Sequence, residues 1–261
     1  MSEAINRNID DYKQIVGNLT HEIKTPLTSI IGYAELLKNH ECDRELQEQA
    51  LDYILEEGKR LNSITRKMIK LSRIQPGLLN IERQDVKKML ETSLMAVRMK
   101  AGQKQIQFTS DIPEGIFCYG DREFLITMME NVLDNAIKAS HEGGVIEVRA
   151  AGEGGALAYI QVTDHGIGIP ADILDKIDQP FFKGDKAHSQ GGDGFGMGLA
   201  ICKSVMLHHH GSLKYESVVG AYTTVTMRFP AADYLRLESP EQTDQVKKDS
   251  LWVYEASNII R

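Results

Sequence analysis

No apolar run in these 261 residues approaches the roughly 18 that a bilayer-crossing helix needs, so the chain offers no candidate membrane span. A signal peptide is missing too. Lysine and arginine number 30 against 37 aspartates and glutamates, a formal net charge of -7. With no long basic run, this argues against nucleic acid as the main partner. Cysteine is scarce: Cys42, Cys118 and Cys202 lie far apart without metal-ligand spacing, and read as reduced, structural residues of a cytosolic protein. His208-His209-His210 invites a metal reading, but its place at a helix end before Gly211 fits a dipole partner and cap.

What is present begins with Leu19-Thr20-His21-Glu22-Ile23-Lys24-Thr25-Pro26. Ile15, Leu19, Ile23, Ile30, Ala34 and Leu37 recur at helical intervals and predict one buried stripe. His21 falls off that stripe, so its ring should face solvent or a partner. Pro26 lacks an N–H and crowds the Glu22 carbonyl, which predicts a bend beside the histidine. Alone, an exposed His-Glu pair is more often a solvated surface feature.

The second half changes that weighting. Residues 121 to 140 read as a helix with Asp121 as N-cap and an apolar face of Phe124, Met128, Val132, Ala136 and Ala139. Asn131, Asn135 and Lys138 fall within roughly 60° of one another beside that face. Two amides and an ammonium so placed can hold a hydrated Mg²⁺ and a phosphate, though such a row also serves as an ordinary polar edge. Strands are predicted at Val145 to Ala150 and Leu157 to Thr163, joined as a hairpin through Gly152-Glu153-Gly154-Gly155. The second runs into Asp164-His165-Gly166-Ile167-Gly168, an acceptor at a strand end followed by backbone that can approach a flat ligand. Alternating glycines from Gly191 to Gly198 then precede an apolar helix reaching about His209, a ready anion cradle. No Gly-Lys-Ser/Thr follows, so this is not a Walker loop. Ahead of it, Pro180-Phe181-Phe182-Lys183 opens a polar, glycine-rich stretch that reads as a mobile lid.

In this order the pieces resemble the H, N, G1, F and G2 boxes of sensor histidine kinases of two-component signalling, over residues from about 8 to 230. The resemblance implies a HisKA-type dimerisation and phosphoacceptor domain followed by a Bergerat-type ATP-binding domain. It makes His21 the phosphoacceptor, with Glu22 orienting its imidazole and Thr25 supporting dephosphorylation of the partner. Asn135, with Asn131, would ligate Mg²⁺, and Lys138 would touch phosphate. Asp164 would read adenine in a pocket shaped by Gly166 and Gly168. Phe182, Lys183, Gly194, Gly196, Gly198 and Leu199 would complete the ATP site. His165 departs from the pattern, where asparagine is usual.

The fold expected is two domains, an all-α helical hairpin forming a four-helix bundle as a dimer, then an α+β sandwich with a mixed sheet and helices on one face. Residues 1–77 would make the first, 78–231 the second, and 232–261 a tail. Ile54, Leu61 and Met68, with Ile64 and Leu71, supply a heptad stripe for a second copy. Implied partners are a second copy of the chain and a response regulator receiver domain. No membrane contact is expected within this chain, which reads as cytoplasmic, either a core excised behind an upstream sensor or a kinase governed by a soluble sensor partner. The alternative function is a nucleotide-gated phosphatase or binding scaffold. The tail has two readings, a disordered extension or, through Leu251, Trp252 and Tyr254, a segment that docks on the ATP-binding domain or a neighbouring chain, and docking is the one predicted.

Overall fold

The computed structural model describes residues 2–74, 78–153, 156–182 and 196–230, with side chains from residue 17 onward except Asn18 and Glu153. The expectations placed on residues 75–77, on the hairpin tip at 154–155, on 183–195 with Lys183 and Gly194, and on the tail with Trp252 fall outside those residues.

Helix α1, Ser2–Asn39, runs on through a buried Pro26, and α2, Arg44–Arg73, returns along it. Proline removes one rung of the backbone ladder, and the flanking turns carry the helix past it. Asp43 caps α2 by accepting from the Leu46 N–H at 2.9 Å. Tyr33 and Tyr53 stack across the hairpin with ring centroids 4.9 Å apart.

Part of the heptad stripe is already covered within one chain. Ile64 is fully buried, Ile54 and Leu61 are half-buried, and Met68 and Leu71 pack with Leu19 and Ile23 against the same core. The apolar surface left open is a neighbouring set: Leu27 and Ile31 of α1, with Leu51 and Leu55 of α2, are 45 to 56% exposed. Ala34 is exposed as well.

The remainder is a seven-stranded mixed sheet with three helices on one face. Its strands are β1 (Glu82–Asp85), β2 (Gln107–Asp111), β3 (Phe117–Gly120), β4 (Val145–Glu153), β5 (Ala156–Asp164), β6 (Ser212–Val218) and β7 (Tyr222–Arg228). The order is β1-β3-β5-β4-β2, with β7 pairing the later half of β5 and β6 outside it. Helix α4, Arg122–Ala139, lies between α3, Val86–Gln103, and α5, Gly198–His208, and packs on β5. Of its predicted face Phe124, Met128, Val132 and Ala136 are buried and Ala139 is half-buried; Leu125, Met129 and Leu133 are buried too, because a central helix touches neighbours on two sides. Each such side chain contributes about 1.5–3 kcal/mol.

The triple histidine works at the helix end, but one member reaches further than the sequence indicated. His209 is buried; its Nδ1 lies 2.7 Å from the Val205 carbonyl, and its Nε2 accepts the Asp121 N–H at 3.0 Å. The proton therefore sits on Nδ1, and the imidazole ties the end of α5 to the N-cap of α4. Burial holds its pKa below the usual histidine value. A folded value below the unfolded one means the stability it contributes is complete above about pH 6.5 and is lost as pH falls. His209→Ala should cost about 2–3 kcal/mol in urea melts, through a cavity and an orphaned N–H. The variant should also flatten the acid limb of the stability curve. An unaltered acid limb would deny His209 this role.

Candidate functional site

The site grows from α4. Asp121 caps the helix, accepting from the Glu123 N–H at 3.0 Å, and so fixes where the turns beyond it point. Asn131 and Asn135 are half-buried on the edge of the apolar face. Asn131 donates its Nδ2 to the Thr127 carbonyl at 2.9 Å, with its oxygen on the other side of the amide. That oxygen faces the first residue of α5, where a Cβ on Gly198 would stand 3.2 Å from Oδ1. Lys138 is engaged otherwise than the resemblance implied. Its Nζ lies 2.7 Å from Asp134, whose other oxygen takes Lys100 at 2.5 Å. Burial alone would raise the Asp134 pKa, but the two ammonium groups outweigh it and hold the carboxyl below its ordinary range. To reach a phosphate, Lys138 has to exchange this partner.

β5 supplies the carboxylate. Ile160, Val162 and Asp164 are successive buried positions on one face of the strand, so strand parity carries Asp164 under the helix layer. It pairs with Ile146 on β4 and Thr223 on β7, and Oδ1 accepts the Gly166 N–H at 3.1 Å. Burial pushes its pKa up to about 6, against the Gly166 hydrogen bond and the charge of His165. Such a group is a partly desolvated acceptor, suited to a neutral N–H donor on a flat ligand. Gly166 is there because nothing larger fits: a Cβ would stand 2.0 Å from the Ala139 carbonyl oxygen. The loop thus seats on the last turn of α4, where the Ile167 N–H donates to the same carbonyl at 3.1 Å. Gly168 follows beside the β6–β7 turn, which the Gly220 N–H and Ser217 Oγ tie to Ile167 and Ile169.

The third part is a neck. The Phe181 N–H donates to the Gly196 carbonyl at 2.9 Å, so the chain leaving after Phe182 and the chain arriving at Gly196 are held side by side. Gly196 has φ 64°, and a Cβ there would meet the Phe182 carbonyl oxygen at 2.3 Å. Phe181 and Leu199 anchor the neck against the core, and Phe182 is half-buried. Helix α5 then starts at Gly198 with no side-chain cap and no acidic residue in its first turn. Its leading N–H groups and positive dipole end are therefore open to an anion.

His21 stands on α1, exposed as predicted. Glu22 turns across the hairpin, its Oε2 3.8 Å from Nη2 of Arg60, which also neighbours Glu57 at 3.7 Å. Adjacent helical residues do not face one another, so this direction follows from helix geometry. Thr25 donates its hydroxyl to the His21 carbonyl at 3.1 Å. The hairpin meets the sheet domain through α2, where Lys70 Nζ donates to Thr127 Oγ1 at 3.1 Å and Arg73 lies 3.8 Å from Glu123. Above those contacts a cleft of about 1260 Å³ opens between α2, α3 and α4, reaching Asn131 and Lys138 but not Asp164.

Sequence reasoning missed several participants. Asp134 precedes Lys138 by four residues, a readable helical pair. Glu147, opposite Thr163 in the hairpin register, lies 3.1 Å from His165, and the β4–β5 pairing could have disclosed it. Thr127 and Lys100 gave no signal, since their partners lie on other elements.

Comparison with known proteins agrees with this architecture. Residues 12–77 match the His Kinase A (phospho-acceptor) domain, and residues 120–233 match the histidine kinase-, DNA gyrase B-, and HSP90-like ATPase family. The sensor-like histidine kinase SenX3 of Mycobacterium tuberculosis is 33% identical over 234 residues, 88% of this chain and 57% of that protein. The sensor histidine kinase WalK of Bacillus subtilis is 28% identical over 222 residues, 84% of this chain and 36% of that protein. The chain therefore spans little more than half the length of the first and about a third of the second. Two solved structures share the fold. Histidine kinase ThkA in complex with response regulator protein TrrA superposes with a TM-score of 0.68 at 21% identity, covering 87% of this chain and 64% of that one. The Acinetobacter baumannii histidine kinase AdeS gives 0.62 at 22% identity, covering 81% and 98%. The two domains occur here in that order. The chain belongs to the sensor histidine kinases.

Proposed function

We propose that this chain is an ATP-dependent histidine autokinase which passes its phosphoryl group to an aspartate of a response regulator and also assists in removing it. One observation carries the reading. A single helix, α4, joins a buried carboxylate able to accept from adenine to an uncapped helix N-terminus able to hold phosphate. Asp164 would take the adenine amino group, with Gly166 and Gly168 giving the ring room. Gly196 and Gly198, with Phe182 and Leu199 at the neck, would bring the α5 amides against the triphosphate. Lys183 and Gly194 belong to the same pattern by sequence.

The donors fit a magnesium ion of the hydrated kind. Among the described residues no group of three His, Cys, Asp or Glu side chains could hold a metal, and the Asn131 oxygen beside the start of α5 offers a neutral ligand. Asn135 and Asn131 would hold it together with phosphate oxygens and water. Bound there, Mg²⁺ neutralises charge on the phosphates. Lys138 adds a cation on leaving Asp134. The ring nitrogen of His21 would attack the γ-phosphorus as the bond to the bridging oxygen breaks and ADP departs. Glu22, on leaving Arg60, would support the cation so formed.

The open face of Leu27, Ile31, Leu51 and Leu55 supports a homodimer, since a two-helix hairpin alone leaves that much apolar surface in water. Among the described residues no helix is long and apolar enough to cross a membrane, and we place the transfer in the cytoplasm. The partner reading is supported by ThkA, solved with a response regulator.

The test is incubation with ATP carrying a labelled γ-phosphate and Mg²⁺. Label stable to alkali and lost in acid is the expected result. Protein that binds nucleotide but takes no such label would reduce it to the binding scaffold. Thr25→Ala should leave autophosphorylation within about twofold and slow regulator dephosphorylation by about tenfold or more, as loss of a group that orients a reacting water does. Equal losses in both activities would make Thr25 structural.

A further inference from the structure

Arg60 stands where two parts of the molecule meet. Its Nη2 lies 3.8 Å from Oε2 of Glu22, the neighbour of His21, and its Nη1 lies 3.7 Å from Oε2 of Glu57, one turn back on α2. All three side chains are less than a third exposed, so the guanidinium lies at the margin of the hairpin rather than out in solvent. Arg60 also lines the cleft between α2, α3 and α4, the same cleft that reaches Asn131 and Lys138. One side of it thus meets the carboxylate beside the phosphoacceptor, and the other meets the space open to the phosphate end of the nucleotide site. We propose that Arg60 is a catalytic residue of the transfer: its Nη2 exchanges the Glu22 carboxylate for the γ-phosphate of the arriving nucleotide, which frees Glu22 for His21. This rests on the reading of the chain as a histidine autokinase.

The cleft is cationic in an acidic chain. Eight lysines and arginines line it against four aspartates and glutamates, whereas the whole chain carries a net charge of -7. Arg60, Ser63, Lys67 and Lys70 follow at intervals of three and four, a single stripe of α2 along the cleft wall. The contact of Lys70 with Thr127 sets α4 at one end of this stripe, and the contact of Arg60 with Glu22 sets His21 near the other. Ten residues of helix separate the two, about 15 Å. The sheet domain has to travel that length along α2 for transfer, and the phosphate it carries then meets Arg60. As ion pairs longer than a hydrogen bond, the two contacts of Arg60 yield to a partner that bonds directly. A guanidinium presents two nitrogens in one plane, so Nη1 stays with Glu57 while Nη2 changes partner. Glu57 keeps Arg60 in place, the phosphate takes the vacated edge, and Glu22 is released one residue from the imidazole that becomes a cation.

The experiment measures the rate of labelling of the whole chain by saturating γ-phosphate-labelled ATP with Mg²⁺, beside binding of a fluorescent adenine nucleotide and thermal melting. Arg60→Gln should slow labelling by about a hundredfold or more, the loss expected on removing one preorganised donor to the reacting charge. Its nucleotide affinity should stay within about twofold of wild type, because the binding residues lie on the sheet domain. Arg60→Lys keeps a charge but loses the fork, and should slow labelling by about tenfold. In a Glu22→Gln background Arg60→Gln should still cost about tenfold or more, since the contact with phosphate remains to be lost. Disappearance of the loss in that background would mean that Arg60 acts through Glu22 alone, and overturns the inference. Labelling of Arg60→Gln at or above the wild-type rate would mean that Arg60 only withholds Glu22, and overturns it too. Where Arg60→Gln melts early, Arg60→Lys decides: a wild-type rate with lysine sinks the proposal. A wild type that binds nucleotide but takes no label is a failure of the kinase reading itself, a result distinct from all of these.

Discussion

His21→Ala is expected to take no label at all from γ-phosphate ATP while binding nucleotide like the wild type. The separation of these outcomes follows from the architecture. His21 is an exposed residue of α1, whereas the nucleotide residues are carried by α4, β5, the neck and α5. Replacing the imidazole removes the proposed acceptor without touching a packed contact, so stability should change by under about 0.5 kcal/mol. With that imidazole gone, the loss should be complete rather than partial. Labelling of His21→Ala at the wild-type level would show the acceptor to be elsewhere. Loss of label together with loss of nucleotide affinity would mean that the substitution disturbed more than the acceptor.

Asp164→Asn should show the opposite coupling, a more stable protein that has lost its ligand. The carboxyl protonates at about 6 in the fold against 3.8 in its ordinary state. A raised folded value means its stabilising contribution is complete below about pH 4 and is lost as pH rises through about 6. At neutral pH the buried ion thus costs up to about 3 kcal/mol, for a shift of about two units. Asparagine keeps an oxygen for the Gly166 N–H and carries no charge, so the melting temperature at pH 7.5 should rise, with little change at pH 4. Adenine nucleotide affinity should fall by about tenfold or more, the loss of a charge-assisted acceptor. A variant no more stable at pH 7.5 than wild type would show that the carboxylate is better solvated than its burial indicates.

The elements that carry the site were legible because each has a period or a stop of its own. The apolar face of α4 repeats at helical spacing with a capping aspartate ahead of it. The β4–β5 pair alternates on both sides of a glycine-rich tip, and α5 begins after glycine and ends before Gly211. Those local rules fixed where Asn131, Asn135, Asp164 and Gly198 stand. Less legible was anything depending on which elements become neighbours. The heptad stripe of α2 was assigned wholly to a second copy, yet Ile64 is closed off within one chain, because a helical hairpin covers the inner side of both its arms. Lys138 was assigned to phosphate, yet it lies against Asp134, and Lys100 completes that group from α3. Glu22 was assigned to its neighbour in sequence, while the fold brings Arg60 of α2 to it. Long, flexible charged side chains find partners through tertiary proximity, which a one-dimensional pattern does not encode.

The seat of Gly166 on the last turn of α4 has a metric consequence. Helices hold length as few other elements do, at about 1.5 Å per residue. Asn131 and Ala139 are eight residues apart on one uninterrupted helix, so the proposed phosphate and base ends of the site are separated by a rod of about 12 Å. Loops elsewhere can vary in length and sequence without changing that spacing. One residue inserted between Asn135 and Ala139 would turn the Gly166 seat by about 100° about the helix axis relative to the amides. The span of a ligand bound as proposed would thus be set by a helix rather than by the glycine loops.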